Sequence, residues 1–383
     1  MRIVVSGGGT GGHITPILAL VSALKELKPD NLAIDYIGSG GELERSLVTA
    51  ADMGYHTIPS GKFRRYRRGI WRELTDFKTV ALNTRDLGRS LRGYAQALRL
   101  LKHLKPDVVF VKGGFVGLPV GLAARRLGLK LIIHESDLVM GVTNRILSTR
   151  ANIVATGFET NAYLPSKGPA QRIAVGNPIR ETLLHGSRSR GLKHFNLDKK
   201  LPIVLVIGGS SGAQAINKVV IESLPQLLHS TQIIHQTGEN DFTVAIAARQ
   251  QLHPDLRHNY VPIAFLHDEL ADAYALADMI VSRCGANVLA ELAILKKPAI
   301  LIPLPGSANG HQAANANYIV RRGAGRVIAQ NELNTERLRT EVLDLVRNPA
   351  DAKRLSQAIG QLAKPDASRD LAQAIFALGR KGS

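Results

Sequence analysis

Twice in this chain an apolar run meets a cluster of glycines and then an apolar-periodic segment. Arg2-Ile3-Val4-Val5 leads into Ser6-Gly7-Gly8-Gly9-Thr10-Gly11-Gly12-His13, followed by Thr15-Pro16 and Ile17, Leu18, Leu20, Val21 and Leu24. Pro202 to Ile207 leads into Gly208-Gly209-Ser210-Ser211-Gly212 and a periodic segment from Ala213 to Leu228. A buried strand, a glycine turn and a helix aim backbone N–H groups and a helix N-terminus at one point, the geometry that receives an anion. Gly7, Gly9 and Gly12 also satisfy G-x-G-x-x-G, a weak signal alone, since a tight turn without a ligand has the same sequence.

Around these units strand and helix patterns alternate. Strands are predicted near Ile3–Ser6, Ala33–Ile37, Thr57–Pro59, Val108–Val111, Leu131–His134 and Ile153–Ala155. Helices are predicted at Thr15–Leu27, Glu42–Met53, within Leu87–Leu104, and at Val120–Leu127. Gly54 and Gly128 act as C-terminal stops. Between Gly176-Asn177-Pro178 and Lys200 the chain turns polar and weakly periodic, which reads as an interdomain connection. Strands then resume at 202–207, Gln232–His235, Met279–Val281, Ala299–Ile302 and Arg326–Ile328, and helices occupy about Thr335 to Gly379. The expected fold is α/β, with two Rossmann-like doubly wound parallel-sheet domains, about 1–178 and 179–363, facing a cleft. With 383 residues, each half has enough chain for its own core.

The second strand tests the dinucleotide reading. A dehydrogenase places an acid at its tip to hold a ribose. Here the strand ends Tyr36-Ile37-Gly38-Ser39, with Asp35 inside it. That counts against NAD in the first half. The second half offers a better nucleotide site. Ser282-Arg283-Cys284-Gly285-Ala286-Asn287 follows a strand and opens a helix, with Glu291 about one turn inside. Small residues there suit a diphosphate, Arg283 adds fixed charge, and the Glu291 carboxylate is placed to accept two ribose hydroxyls; a helix-surface acid is the plainer alternative. Gln312 and Asn315, three apart, share a helix face suited to sugar hydroxyls or to capping. His13 stands at a helix start, where the macrodipole disfavours imidazolium and leaves the neutral ring that a general base requires; a helix-start residue that only hydrogen-bonds is the plainer alternative. The twelve histidines are scattered and no Asp-x-Asp pair occurs, so neither a metal nor a cofactor is expected.

The net charge is +18, and residues 62–102 hold twelve Lys or Arg against three Asp or Glu, a net of +9. Within it, Phe63, Arg64, Arg65, Arg67, Arg68, Ile70 and Trp71 mix cations with apolar groups. Such a stretch suits an anionic membrane interface, with RNA binding and a solvated basic face as rivals. A single cysteine, Cys284, excludes an internal disulfide and points to a reducing compartment. No signal peptide or membrane span is read, since the best candidate run, 108–124, carries Lys112 and several Gly and Pro.

Eight ordered pieces together carry a resemblance. They are Gly9 through His13, Gly113-Gly114-Phe115-Val116, His134-Glu135, Gly176 through Arg180, Gly208-Gly209-Ser210, His235 through Gly238, Ser282 through Glu291, and His311-Gln312 with Asn315-Ala316. Over about residues 2 to 330 the chain resembles the MurG family of peptidoglycan glycosyltransferases. The resemblance implies a GT-B architecture whose last helix, about 364–383, returns to the first domain. It implies an inverting transfer of GlcNAc from UDP-GlcNAc to the 4-hydroxyl of lipid I, giving lipid II, at the cytoplasmic face of the plasma membrane. Ser210 would meet the diphosphate, Arg180 the nucleotide, the Leu266 backbone the uracil and Glu291 the ribose. Gln312 would hold the sugar beside Ala286 and Asn287, and Asp137 would be a further sugar contact. Thr10, Gly11 and Gly12 would face the sugar from the other domain, with His13 as the base. No nucleic-acid partner is implied. The chain departs from the family's common pattern at Ser136-Asp137, Ser211 and Val288. The alternatives are another UDP-sugar enzyme of the same architecture, a 2-epimerase or a transferase to a different lipid, and a basic membrane- or RNA-binding module whose glycine turns are structural.

Overall fold

The computed structural model describes residues 1–8, 11–27, 31–61, 77–159, 170–209 and 212–380, with backbone alone at Leu43, 77–83 and Ala308. The chain divides into two compact units, one of Met1–Pro178 with Asp366–Ser383 and one of Ile179–Pro365.

In the first unit β1 (Arg2–Ser6), α1 (Gly11–Leu27), β2 (Ala33–Gly38), α2 (Glu42–Ala50) and β3 (Gly54–Thr57) are followed by the long α3 (Phe77–Leu104). Next come β4 (Val108–Val111), α4 (Gly114–Arg126), β5 (Lys130–Glu135), α5 (Val142–Ser148), β6 (Ile153–Thr156) and β7 (Gln171–Ala174). The strands form one parallel sheet in the order β3-β2-β1-β4-β5-β6-β7. Each central strand is apolar on both faces because both are covered. Ile3, Val5, Val108, Phe110 and Ile132 pack on one side with α1. Val4, Val109, Val111, Leu131 and Ile133 pack on the other with α3, α4 and α5.

The second unit runs through α6 (Arg188–Phe195), β8 (Ile203–Ile207), α7 (Gln214–Leu227), β9 (Gln232–Gln236), α8 (Glu239–Gln251) and β10 (Tyr260–Ile263). It continues with α9 (Leu270–Leu276), β11 (Met279–Ser282), α10 (Ala286–Leu295), β12 (Ala299–Leu301), α11 (His311–Arg321), β13 (Arg326–Val327), α12 (Thr335–Arg347) and α13 (Pro349–Gly360). Its parallel sheet has the order β10-β9-β8-β11-β12-β13. The last helix, α14 (Ala367–Arg380), belongs to the first unit. Its Leu371, Ala372, Ile375 and Phe376 join the core cluster of Ile17, Leu20, Leu24 and Val108, and Lys130 Nζ donates to the Gly379 carbonyl at 3.0 Å.

Both sheets reverse winding direction beside their first strand. The switch points lie between β1 and β4 and between β8 and β11, where open α/β sheets bind ligands at the carboxyl ends of strands. The glycine turns of both units sit there.

The structure departs from the sequence reading at the sheet edges and in the connection. The third strand is 54–57 rather than 57–59, and Gly54 begins it instead of stopping a helix, since α2 ends at Ala50 rather than Met53 and Asp52 carries the positive φ of 52° that follows it. The strand at β7 is missed because it is an edge of polar, mostly exposed residues without apolar alternation. The strand at β10 is missed because it contains Pro262, which only an edge strand tolerates. Helix α4 starts at Gly114, six residues before the expected Val120, since glycines 113, 114 and 117 read as turn. The stretch 176–200 is not simply a connection. It carries α6, whose cap Ser187 accepts from the Arg190 N–H, and which is tied to α9 through Arg190–Asp272 at 2.8 Å and to the residue just before β11 through Arg188–Asp278 at 3.0 Å. Those partners lie some 80 residues later, beyond any local pattern. Asp35 is held inside the sheet, 2.8 Å from His56 and 3.7 Å from Arg2.

Candidate active site

In the first unit, two glycine turns meet at the switch point. Gly113 and Gly114 follow β4 with φ of 102° and 76°, the left-handed region that favours glycine. A side chain at Gly114 would lie 2.6 Å from the Gly8 carbonyl oxygen, and one at Gly8 would lie 2.8 Å from Val116. These glycines let the two turns touch. Gly11 and Gly12 open α1, and His13 is in its first turn, half-buried. Thr10 lies outside the described residues.

Between the turns stands Lys112, the residue after β4, only 3% exposed. Its ammonium donates to His134 Nδ1 at 2.5 Å and to Ser136 Oγ. Since Nδ1 accepts, His134 carries its proton on Nε2, which donates to the Gly176 carbonyl at 2.8 Å. Glu135 is buried and receives the N–H groups of Asp137 at 3.1 Å and Gly141 at 2.9 Å, and the Asn144 amide at 2.9 Å. Burial pushes its carboxyl up, against the pull of those hydrogen bonds. Asn177 donates to the Ser136 carbonyl at 3.1 Å. The segment 134–137 is therefore held from three sides, with Asp137 half-buried within it.

Burial, then the Lys112 charge, lowers His13 to about 4, against an opposing pull from Asp137. Burial lowers Lys112 to about 8, with Glu135 and Asp137 pulling it up. At neutral pH the ring is neutral and the ammonium charged. Lys112 is one residue whose place in the site the sequence does not disclose. Its signal was present, as one cation ending the apolar run of β4, but a charge after a strand has many explanations until its neighbours are known.

In the second unit, Gly208 and Gly209 follow β8, and Gly212 leads into α7. Gly209 and Gly212 have φ of 88° and 72°, and the Gly212 N–H donates to the Gly209 carbonyl at 3.1 Å. A side chain at Gly209 would meet nothing within 4 Å, whereas one at Gly208 would meet the Ala213 nitrogen at 2.6 Å. Ser210 lies outside the described residues. Ser282 Oγ donates to the Ile207 carbonyl at 2.8 Å and locks β11 to β8. Arg283 donates to the Ile302 carbonyl at 3.2 Å. Gly285 caps α10 in open space; Ala286 is buried and Asn287 half-buried in its first turn.

Glu291 projects from α10 beside two residues of distant elements. Tyr274 of α9 donates to its carboxylate at 2.7 Å, and the Arg180 guanidinium acts on both groups electrostatically. Burial raises the Glu291 carboxyl, opposed by the Tyr274 hydrogen bond and Arg180. The Arg180 Nε is buried without a hydrogen-bond partner. Tyr274, like Lys112, escapes the sequence reading, since nothing around it in α9 marks it.

The remaining expected residues have structural duties. The Leu266 N–H already donates to Gln236 Oε1 at 3.0 Å, which leaves its carbonyl as the backbone group for a ligand. Gln312 Oε1 accepts from the Leu304 N–H at 2.9 Å. Asn315 does not share an exposed face with Gln312. It is fully buried and donates to the Cys284 carbonyl at 3.1 Å, tying α11 to the turn after β11. Phe63, Arg64, Arg65, Arg67, Arg68, Ile70 and Trp71 lie outside the described residues. Among the described residues, no group of three or more His, Cys, Asp or Glu side chains is placed to hold a metal, and no helix is long and apolar enough to cross a membrane.

Known proteins share both units. Residues 3–156 match the glycosyltransferase family 28 N-terminal domain, and residues 203–371 match the family's C-terminal domain. Two curated relatives carry the same name, UDP-N-acetylglucosamine--N-acetylmuramyl-(pentapeptide) pyrophosphoryl-undecaprenol N-acetylglucosamine transferase. The one from Lachnoclostridium phytofermentans is 40% identical over 339 residues, 88% of each chain. The one from Lachnospira eligens is 38% identical over 346 residues, 90% of each chain. Among solved structures, Acinetobacter baumannii MurG superposes with a TM-score of 0.73 at 27% identity, over 98% of this chain and 99% of that one.

Proposed function

The chain belongs to glycosyltransferase family 28, and from that membership we propose that it transfers N-acetylglucosamine from UDP-GlcNAc to lipid I, producing lipid II for peptidoglycan. Its two Rossmann-like units give the GT-B architecture. The observation that carries this reading is the identity of 38–40% over about nine-tenths of relatives bearing that activity in their name.

The second unit takes the donor. Glu291, held by Tyr274 beside Arg180, accepts the ribose hydroxyls, and the Leu266 carbonyl meets the uracil. The diphosphate lies at the Gly208–Gly212 turn with Ser210, near the N-termini of α7 and α10, and Arg283 adds positive charge. Their partial charges stabilise the negative charge that grows on UDP as it leaves. Gln312 holds the sugar, with Ala286 and Asn287 packed beside it.

The first unit takes the acceptor. Thr10, Gly11 and Gly12 present N–H groups to the lipid diphosphate, Asp137 is a polar contact for sugar, and His13 is the base. The acceptor 4-hydroxyl oxygen bonds to the anomeric carbon and the bond from that carbon to UDP breaks with its electron pair. The hydroxyl proton passes to His13, and the anomeric centre inverts. A ring lowered to about 4 is free to take a proton throughout the neutral range, and His13 would lose this capacity only as the pH falls through that value.

Incubating the protein with radiolabelled UDP-GlcNAc, with and without lipid I in vesicles, tests the activity. Label entering lipid only when acceptor is present supports it. Conversion of UDP-GlcNAc to an epimer without acceptor replaces it with the 2-epimerase reading.

The first unit also faces an anionic membrane in this proposal, at the cytoplasmic face, as a peripheral protein. Support comes from α3, which follows the basic stretch in sequence. Leu87 and Leu91, one turn apart, are 48% and 61% exposed, among the exposed Arg85, Arg89 and Arg92. Cations around projecting leucines match lipid headgroups over acyl chains. Neutralising Arg64, Arg65, Arg67 and Arg68 together is expected to weaken binding to phosphatidylglycerol vesicles about 100- to 1,000-fold at low salt, at about 1 kcal/mol per cation. Sedimentation with vesicles measures it, and unchanged binding removes the stretch from the interface.

A further inference from the structure

We propose that Lys112 is a positioning residue of the acceptor half-site, a buried cation that fixes the segment after β5 and acts electrostatically on His13. The role deepens the reading of His13 as the base and rests on it. Three observations carry it. Lys112 occupies the switch point between β1 and β4, behind the first glycine turn, where a side chain added at Gly7 would lie 2.9 Å from the Lys112 Cβ. Its ammonium is buried and donates to the His134 ring and the Ser136 hydroxyl, so it anchors both ends of a three-residue stretch leading to Asp137. It also acts electrostatically on the His13 imidazole, with Asp137 as the opposing charge.

A lysine buried at a sheet's ligand-binding end is costly unless its charge is used. Here His134 and Ser136 accept from the ammonium, and Glu135 and Asp137 lend it negative potential. Glu135 is engaged by three donors that hold its charge in place, the N–H groups of Asp137 and Gly141 and the Asn144 amide, and it is Asp137 whose charge opposes that of Lys112 at His13. The groups that bear on the His13 ring are therefore Lys112, just after β4, and Asp137 from the segment after β5. While the ammonium is charged, a second positive charge on the nearby imidazole is disfavoured. The ring stays able to accept a proton, and the ammonium, which has no lone pair while it is charged, does not compete for it.

Lys112→Met keeps the length of the side chain and removes the charge. The expected result is an upward shift of the His13 titration midpoint by about one pH unit, read by NMR of the histidine ring in the full-length protein. The acid limb of kcat/KM is expected to move upward with it, while Lys112→Arg holds both near the wild-type position. A folded Lys112→Met protein whose His13 midpoint stays in place overturns the proposal, since a residue that only packs the site would lower stability or kcat without moving that midpoint. If the midpoint moves and the acid limb does not, Lys112 acts on His13 as proposed and another group is the base. Lys112→Gln provides the same comparison should the methionine variant misfold. On the unsubstituted protein, the lysine side-chain nitrogen signals give an independent reading. A lysine titrating near 8 whose signal is lost in Lys112→Met supports the buried cation, the loss separating it from Lys297, which burial also lowers, and a Lys112 signal in the ordinary lysine range overturns it.

Discussion

Replacing His13 with alanine is expected to lower turnover about 10²- to 10⁴-fold, the usual contribution of a positioned general base. UDP affinity is expected to change less than about twofold, because the groups proposed to bind UDP all belong to the second unit, 179–365. Steady-state kinetics with lipid I and calorimetry with UDP measure the two effects on one preparation. The physical basis is the setting of the ring. His13 lies in the first turn of α1, at the positive end of the helix dipole, half-buried and subject to the Lys112 charge. All three disfavour imidazolium in the resting enzyme. Turnover that survives the substitution places the base elsewhere, and Asp137 would be the next residue to replace.

Glu291→Gln is expected to raise the KM for UDP-GlcNAc about 10- to 100-fold with a smaller change in kcat, since a hydrogen bond to a charged acceptor is worth about 1.5–3 kcal/mol. Glutamine is the informative replacement. It still offers an oxygen to the Tyr274 hydroxyl, whereas alanine would leave that hydroxyl buried without its acceptor. Tyr274→Phe is expected to act in the same direction and less strongly, because the carboxylate loses its orientation but keeps its charge. The pH dependence has a definite sign. Burial raises the Glu291 carboxyl, so as pH falls it gains a proton earlier than an ordinary glutamate and donor affinity weakens correspondingly early. An unchanged donor KM in Glu291→Gln would remove this residue from the nucleotide site.

The central strands were legible because their residues are apolar on both faces, and the glycine turns because few other residues fit where backbones touch. Gly114 against Gly8 is an instance: the contact joins turns a hundred residues apart, yet each turn is visible locally. What was not legible depends on partners far along the chain. Lys112 acquires its role only when the parallel register brings β5 beside β4 and so places His134 and Ser136, 22 and 24 residues later, around its ammonium. Glu291 is visible as an acid inside a helix, but Tyr274 and Arg180, which distinguish it from a surface acid, come from other elements. Asn315 shows the opposite error. Spacing alone paired it with Gln312, and the fold instead turned it inward to the Cys284 carbonyl. Edge strands β7 and β10 failed for a related reason, since an edge can be polar or carry a proline and still pair on one side.

The return of α14 to the first unit has a consequence for biosynthesis. The whole of 179–365 is an insertion within that unit, so translation interrupts one folding unit to make another. During vectorial synthesis the inserted unit has all its strands before α14 emerges from the ribosome. Until then, the surface of Ile17, Leu20 and Leu24 lacks the cover of Leu371, Ile375 and Phe376. The nascent chain thus carries a completed inserted unit while the first unit still has an open apolar face, the kind of intermediate that chaperones hold. Truncation before residue 366 would make that transient state permanent.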